Sequence, residues 1–229
     1  MSYGLRKRGF SLTEVLLAVG ILAVGMLFIA GTFLVGIHFS TIATEQTIAA
    51  VAADEAFAKI KIYGVNVGGL STNQQTPFTS IDPNEFAYPS TSTVAEKQYY
   101  WSALCRRVEG NLVQVTVFVC RKVGSGTAYQ GGMGRPIAMS VGVSGAVGNK
   151  TLTITGTITW INDGYTIVDN QTGQIYRVVK RRVPPEEDVI ELDRNWAGPS
   201  PPSSVWVVPP PVGGGRNPCI AVYPTEMRF

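Results

Sequence analysis

The residues most able to do chemistry lie near the amino terminus, where Gly9-Phe10 and Glu14 separate a basic leader from an apolar run. Glu14 is the one acidic residue close to this run, and from Val15 to Phe39 there is no Asp, Glu, Lys or Arg. A carboxylate at the edge of a bilayer costs free energy that a cation on an adjacent helix would relieve. Cutting after the small residue Gly9 would remove only the leader and leave the apolar segment on the product. These residues therefore place a plausible cut close to a carboxylate that would gain from a partner cation.

The apolar run must position both features, and it is long enough to cross a membrane. About 25 residues make roughly 37 Å of helix, against a bilayer core of ~30 Å. It contains glycines at intervals of five or six residues, namely Gly20, Gly25, Gly31 and Gly36. Small residues at such intervals let membrane helices approach closely. An ordinary secretory signal has a shorter apolar part that ends at a small-residue cleavage site, and no Ala-x-Ala pattern follows this run.

The order of basic leader, Gly9-Phe10, Phe-Ser-Leu-Thr-Glu and apolar helix resembles the type IV prepilin family. The resemblance covers about a quarter of the chain. It implies that a membrane-embedded prepilin peptidase cuts after Gly9 and methylates the new amine of Phe10. It also implies that Glu14 neutralises the terminal amine of a neighbouring subunit, which would fix the axial register between subunits during assembly.

Glu14 has a second interpretation. Ser11-x-x-Glu14 is also a capping box, in which the Ser hydroxyl and the Glu carboxylate satisfy free amides at a helix start. The surrounding motif favours the assembly role, and both roles are compatible at different stages.

The chain divides by composition into a leader at residues 1–9, a long helix at 10–64 with its transmembrane and assembly segment at 15–39, and a β-rich domain at 65–229. The second half of the helix is amphipathic, and one face carries Ala49, Ala53, Ala56, Phe57 and Ile60. That face is expected to pack on the domain. The predicted fold is therefore α+β, a long helix on an antiparallel sheet of roughly four to seven strands.

Strand and turn signals fill the domain. We expect a hairpin about Glu109-Gly110-Asn111, and a second hairpin at Asn162-Asp163-Gly164 between strands at 152–161 and 165–168. A further strand is expected at 174–183. Residues 68–93 are expected to form a long surface connection. The Pro- and Gly-rich segment 198–218 should be extended, with Val205–Val208 as an edge strand.

The three cysteines allow at most one internal disulfide. A two-residue turn in the first hairpin would put Cys105 and Cys120 on one face but about 13 Å apart, and a three-residue turn would put them on opposite faces. Neither arrangement brings their Cα atoms within the ~7 Å that a disulfide needs. If a bridge forms, Cys219 is the expected partner of Cys105 or Cys120, and the alternative is that all three stay unpaired and buried.

Charge sets the expected orientation. The basic residues Arg6, Lys7 and Arg8 precede the span, so the positive-inside rule places the amino terminus in the cytoplasm and the domain outside the cell membrane. The net charge of +3 lies largely in that leader. The one other basic run, Lys180-Arg181-Arg182, is typical of a solvated strand end, so no nucleic-acid partner is expected.

The single histidine, His38, lies at the outer end of the span. It favours neither a catalytic set nor a zinc site, and no Cys-x-x-Cys is present. The acidic and amide residues of 169–173 lack the spacing of a Ca²⁺ loop. We therefore expect no metal, no cofactor and no enzymatic activity.

The function predicted from these features is that of a pilin-like subunit of a pilus, and the large, loop-rich domain favours a minor subunit over a major one. Its expected partners are other pilin or pseudopilin subunits, the prepilin peptidase, an inner-membrane assembly platform and the membrane. A pseudopilin of type II secretion is the near alternative. An uncleaved single-span protein that displays a binding domain is the alternative of another class.

Overall fold

The computed structural model describes residues 9–90, 97–123, 128–130, 134–156, 158–182, 188–198 and 204–229. The basic leader residues of the motif lie outside these ranges. Two compact units divide the chain, Met1–Glu45 and Gln46–Phe229. The first contains the amino-terminal part of a long helix, and the second contains the end of that helix and the β-rich domain.

The long helix α1 runs from Leu12 to Tyr63. It ends where expected: Gly64 has φ +77° and donates its N–H to the Ile60 carbonyl at 3.0 Å. A glycine suits this position because side chains disfavour the left-handed conformation. The predicted long helix and the α+β class are confirmed.

Eleven strands are found within the described residues, and all pair antiparallel. The strands are β1 (Thr76–Pro77), β2 (Ala87–Tyr88), β3 (Tyr99–Glu109), β4 (Leu112–Arg121), β5 (Met139–Gly145), β6 (Thr151–Ile154), β7 (Thr166–Asp169), β8 (Ile175–Arg182), β9 (Val189–Leu192), β10 (Ser204–Val207) and β11 (Cys219–Arg228). They form two assemblies. A sheet has the order β1-β3-β4-β11, with β2 also beside β3, and a closed barrel has the order β10-β5-β6-β9-β8-β7.

The expectation of one sheet of four to seven strands is therefore too simple. The barrel strands lie between β4 and β11 in the sequence, although β4 and β11 are neighbours in the sheet. The barrel is thus an insertion into a helix-and-sheet frame. It has its own core, which includes Leu152, Ile167, Val178 and Trp196.

One face of the sheet packs on the second half of α1. Four valines of β4 and the buried alanines of the helix share one apolar cluster, which includes Ala49, Ala52, Ala53, Ala56, Ile60, Val113, Val115, Val117 and Val119. The helix face predicted from the sequence is confirmed, with Ala52 in addition and with Phe57 partly buried. Lys59 fixes the helix end through ion pairs with Glu55 (3.3 Å) and Glu85 (2.7 Å).

The other face of the sheet packs on the barrel. Leu104, Phe118 and Cys120 from the sheet form a cluster with Val168 and Val208 from the insertion. This explains the pattern of β4, which begins as an alternation and then becomes continuously buried up to Cys120. A strand covered on both faces loses its alternation of polar and apolar residues.

The turn at 169–173 connects β7 and β8, as predicted, and it also docks on the sheet. Arg106 donates to the Thr172 carbonyl (3.2 Å) and to Gln114 Oε1 (2.9 Å). Asn170 Oδ1 accepts from the Gln75 N–H (3.1 Å) and from the indole N–H of Trp206 (2.7 Å). This partly buried polar network is a second link between the insertion and the sheet.

Three other expectations are wrong. Gly164 does close a turn, with φ +83°, but β6 pairs with β5 and β9, and β7 pairs with β8 and β10, so no hairpin forms there. Ser204–Val207 is not an edge strand, because it lies between β5 and β7 in the barrel. The connection after α1 does not lie only on the surface, because Phe78, Ile81 and Phe86 are buried in the core beneath the helix.

Candidate functional site

The Gly9-Phe10 peptide lies outside the helix and is uncovered. Both residues are exposed, and the Phe10 side chain is 89% exposed. The helix begins at Leu12, so the junction has no helical hydrogen bonds to break. An exposed, non-helical peptide is the kind of substrate that a peptidase cleft accepts.

A capping box starts the helix immediately after the junction. The Ser11 N–H donates to Glu14 Oε2 at 2.9 Å, and the Glu14 N–H donates to Ser11 Oγ at 3.2 Å. The first-turn amides would otherwise lack partners, because the first four N–H groups of a helix have no carbonyl before them. The capping interpretation of Ser11-x-x-Glu14 is confirmed as the local geometry of the chain.

The capping box leaves Glu14 able to bind another group. An ionised carboxylate offers about four acceptor positions, and the reciprocal cap uses one oxygen. Within the described residues, which begin at Gly9, no lysine or arginine forms an ion pair with Glu14. The side chain is exposed at the start of the apolar segment. An external amine is therefore a chemically suitable partner.

The segment from Val15 to Phe39 is exposed along its whole length. The helix Leu12–Tyr63 is the one candidate membrane span among the described residues, and its most apolar window is 0% buried. Added Cβ atoms on Gly20, Gly25, Gly31 or Gly36 would meet nothing within 4 Å, so packing within the chain does not require these glycines. The hydroxyl of Thr32 donates to the Ile29 carbonyl (2.9 Å), which satisfies it without water. The segment fits a single-pass membrane anchor.

The cysteines lie in the β-rich unit, and all three are thiols in this structure. The first hairpin combines a two-residue turn at Gly110-Asn111 with a bulge between Arg107 and Glu109. The bulge shifts the register by one residue, so Cys105 lies opposite Val115 and Cys120 lies opposite Tyr100. Cys105 consequently faces the helix, whereas Cys120 faces the barrel.

Cys219 lies directly opposite Cys120, on the next strand of the sheet. Sequence reasoning gave Cys219 as a partner for either cysteine because it did not identify the strand Cys219–Arg228. The signal was weak: Ile220 to Tyr223 is a short apolar run, and Pro224 interrupts it.

No catalytic or metal-binding set emerges from the described residues. They contain no group of three His, Cys, Asp or Glu side chains that could hold a metal ion. The recess beside Trp160 is lined by uncharged groups, among them Gln130, Asn162 and Tyr165. The carboxylate of Asp169 accepts from the N–H groups of Gln171 and Thr172, so it closes its own turn. The expectation of no metal and no enzymatic activity stays a prediction.

Comparison with known proteins identifies the amino-terminal region. Residues 4–30 match the family model described as the prokaryotic N-terminal methylation motif. No curated protein matched the chain, and no solved structure matched it. The matched region contains the exposed junction, the capping box and the apolar segment as far as Ala30.

Proposed function

We propose that this chain, which carries the N-terminal methylation motif and fits a type IV prepilin-like protein, is a pilus subunit. It is cut between Gly9 and Phe10 and assembled through its helix. A prepilin peptidase removes residues 1–9 and methylates Phe10. Residues 10–64 then act as the membrane anchor and the assembly helix, and residues 65–229 form the extracytoplasmic domain. The observation that carries the proposal is the uncovered Gly9-Phe10 peptide directly before a capped, charge-free and exposed apolar segment.

The orientation follows from charge. Arg6, Lys7 and Arg8 stay on the cytoplasmic side, because cationic residues close to a span are retained there. The β-rich domain therefore faces outward before assembly. Assembly then transfers the apolar segment from lipid to contacts with the helices of other pilin-like subunits.

Glu14 supplies the register of that assembly. After cleavage, the amine of Phe10 is a cation at the start of the helix, four residues before Glu14. Pairing the amine of one subunit with the carboxylate of its neighbour relieves the cost of both charges in an apolar surrounding. The pair forms at one axial offset, so it selects one arrangement among many that apolar packing alone would tolerate.

A minor subunit of a pilus is favoured over a major one by the barrel insertion between β4 and β11. Every subunit along a shaft would have to accommodate this extra module, whereas a subunit present in few copies would not. A pseudopilin of type II secretion is the second candidate, since its assembly through the helix would follow the same physical chemistry.

The decisive experiment compares the amino terminus of the native chain with that of two glycine variants. Mass spectrometry of chains from cells with an active peptidase should show a mature form that begins at methylated Phe10. Gly9→Val should leave the precursor uncut, because a branched side chain then occupies the junction. Gly4→Val changes another leader glycine and should be processed normally.

An intact Met1 in the native chain would contradict the proposal. It would favour the uncleaved, single-span protein that displays a binding domain. Cleavage without recovery of the chain in purified filaments, even at trace level, would contradict the assembly step alone.

A further inference from the structure

Cys120 and Cys219 occupy facing positions on neighbouring antiparallel strands. The ladder of β4 and β11 pairs them directly, and the Arg121 N–H donates to the Pro218 carbonyl at 2.9 Å just beyond the pair. That bond joins the residues that flank the cysteines on one side, as in a non-hydrogen-bonded pair. On the other side Ile220 is an extra residue in a bulge, because the pairing resumes with Ala221 opposite Val119. Such pairs have Cα atoms about 4.5 Å apart, which lies inside the range of ~4.4–6.8 Å found for disulfides.

Both side chains also lie on the same face of the sheet. Cys120 belongs to the cluster between the sheet and the barrel, and Cys219 packs against that cluster. Cys105 lies on the opposite face, in the cluster beneath the helix. Its partners across the two adjacent strands are Thr76 and Val115, so neither other cysteine faces it.

We propose that Cys120 and Cys219 form a disulfide that fastens β11 to β4, and that Cys105 remains a buried thiol. The proposal rests on the proposed function in one respect, because the outward orientation exposes the domain to an oxidising compartment. It excludes the Cys105–Cys219 pairing that the sequence left open.

The chemistry requires an external oxidant, and a dithiol oxidoreductase in its disulfide form supplies it. The thiolate of Cys219, which is only half-buried, attacks a sulfur of that disulfide and releases one enzyme thiolate. The Cys120 thiol then loses its proton, and its sulfur attacks the Cys219 sulfur of the mixed disulfide. The second enzyme thiol leaves. Two protein thiols are oxidised and one enzyme disulfide is reduced.

The environment of Cys120 indicates at which stage of folding the bond would form. Burial, and then the adjacent Cys219 thiol, raise the pKa of Cys120 well above its ordinary value. A buried thiol is slow to ionise and react, so we expect the bridge to form while the strands are docking.

The position of the bridge gives it a structural role. Cys120 and Cys219 bracket the chain that leaves the sheet, builds the barrel and returns. Among the described strands, β4 is the only neighbour of β11 in its sheet. A bond between these two strands would therefore close the inserted segment into a covalent loop and hold an edge strand in place.

Trypsin makes the test direct, because it places each cysteine on its own peptide. Cleavage after basic residues gives peptides 98–106, 108–121 and 217–228, which carry Cys105, Cys120 and Cys219 respectively. Full-length chain should be extracted from membranes in detergent, its free thiols blocked with N-ethylmaleimide, and the digest analysed without reductant. We expect 108–121 linked to 217–228, and 98–106 modified by the maleimide.

A second arm separates this proposal from the proposed function. The reduced full-length chain in detergent is treated with a copper–phenanthroline oxidant and digested in the same way. A link between 108–121 and 217–228 that forms here but is missing from membranes supports the pairing and contradicts the outward orientation. No link in either arm, or a link that contains 98–106, overturns the pairing.

Matched variants complete the test. Cys105→Ser should leave the link intact, and Cys219→Ser should abolish it and leave Cys120 open to the maleimide once the chain is denatured. If Cys105→Ser removes the link, the proposal is wrong.

Discussion

At Glu14, a single carboxylate caps its own helix and is the group that we propose to pair with an amine of a neighbouring subunit. It accepts the Ser11 N–H within its own chain, and it retains capacity for an amine from outside. The local interaction orders the start of the helix and so holds the side chain at a defined position beside the apolar segment. Under the proposed function, capping would therefore help assembly, because a fixed carboxylate loses less conformational entropy when a partner binds.

Replacing Glu14 with Gln separates the two interactions. Gln also completes a capping box, so the helix start should survive, but the charge that binds an amine is lost. We expect membrane insertion to be unchanged and incorporation into filaments to fall by about tenfold or more, since ~1.4 kcal/mol of lost pairing is one factor of ten. Immunoblots of membrane and sheared-filament fractions measure both quantities.

Ser11→Ala is the matched control for that variant. It removes the hydroxyl that accepts the Glu14 N–H, at a cost of about 1 kcal/mol to the helix start, and it keeps the carboxylate. Incorporation should stay close to that of the native chain. A loss in Ser11→Ala together with normal incorporation of Glu14→Gln would show that capping, and not charge, is what assembly requires.

At the scale of elements, small residues allow the helix to lie close to the sheet. Ala52 and Ala56 are fully buried against the valines of β4. Ala56→Leu should destabilise the domain by about 1–3 kcal/mol, because the added methyl groups enter a filled core. Ala58→Leu adds the same groups on an exposed position of the helix and should change stability by less than about 0.5 kcal/mol. Urea denaturation of the detergent-solubilised chain distinguishes them, and equal effects would contradict the packing described.

Arg181 links strands of the barrel to the connection that leads into β7. Its guanidinium donates to the carbonyls of Ile161 (2.7 Å) and Ile158 (2.6 Å) and forms an ion pair with Asp188 (2.8 Å). Arg181→Lys keeps the charge but loses the planar guanidinium group and its paired donors. We therefore expect the free energy of unfolding to fall by about 1–3 kcal/mol.

The neighbouring exposed residue gives the control for that change. Arg182→Lys should be almost neutral when the thermal unfolding of both variants is measured. A neutral Arg181→Lys would show that the guanidinium contacts contribute little to the stability of the barrel.

The sequence predicted some elements better than others, because some depend on interactions between residues close in sequence and others on contacts between distant residues. The helix, its alanine face and its end at Gly64 follow from local periodicity and capping. The hairpin of β3 and β4 was predicted, but its bulge was not, and that bulge decides which face Cys105 occupies. The barrel closes because β10 pairs with β5 and β7. These strands are distant from β10 in sequence, and no local pattern encodes such pairing.

The candidate site divides in the same way. Gly9, Phe10 and Glu14 lie within six consecutive residues, so their arrangement was open to sequence reasoning. The geometry of Cys120 and Cys219 depends on two strands separated by the whole insertion. Sequence could therefore name Cys219 as a partner but could not choose between Cys105 and Cys120.

At the scale of the whole molecule, the chain joins segments suited to different surroundings. The apolar segment exposes Phe28, Phe33 and Leu34 at about 70% each, which suits lipid or the helices of other subunits. The cluster beneath the sheet begins only at Ala49. Stability of the β-rich unit thus depends on the last turns of the helix and not on the apolar segment. The barrel adds a second core to that unit and presents an additional surface.

This division predicts how truncated chains behave. A fragment of residues 46–229 keeps every residue of the buried clusters, so it should stay monomeric without detergent and unfold within a few degrees of the full-length chain. A fragment of residues 64–229 loses Ala49, Ala52, Ala53, Ala56 and Ile60, and it leaves the valine face of β4 uncovered. Exposed apolar faces of that kind aggregate, so we expect the shorter fragment to lose its cooperative thermal transition.

Near-ultraviolet circular dichroism and size-exclusion chromatography measure these outcomes. A stable, monomeric 64–229 fragment would show that the helix is dispensable to the fold, and an unfolded 46–229 fragment would show that the apolar segment supports it.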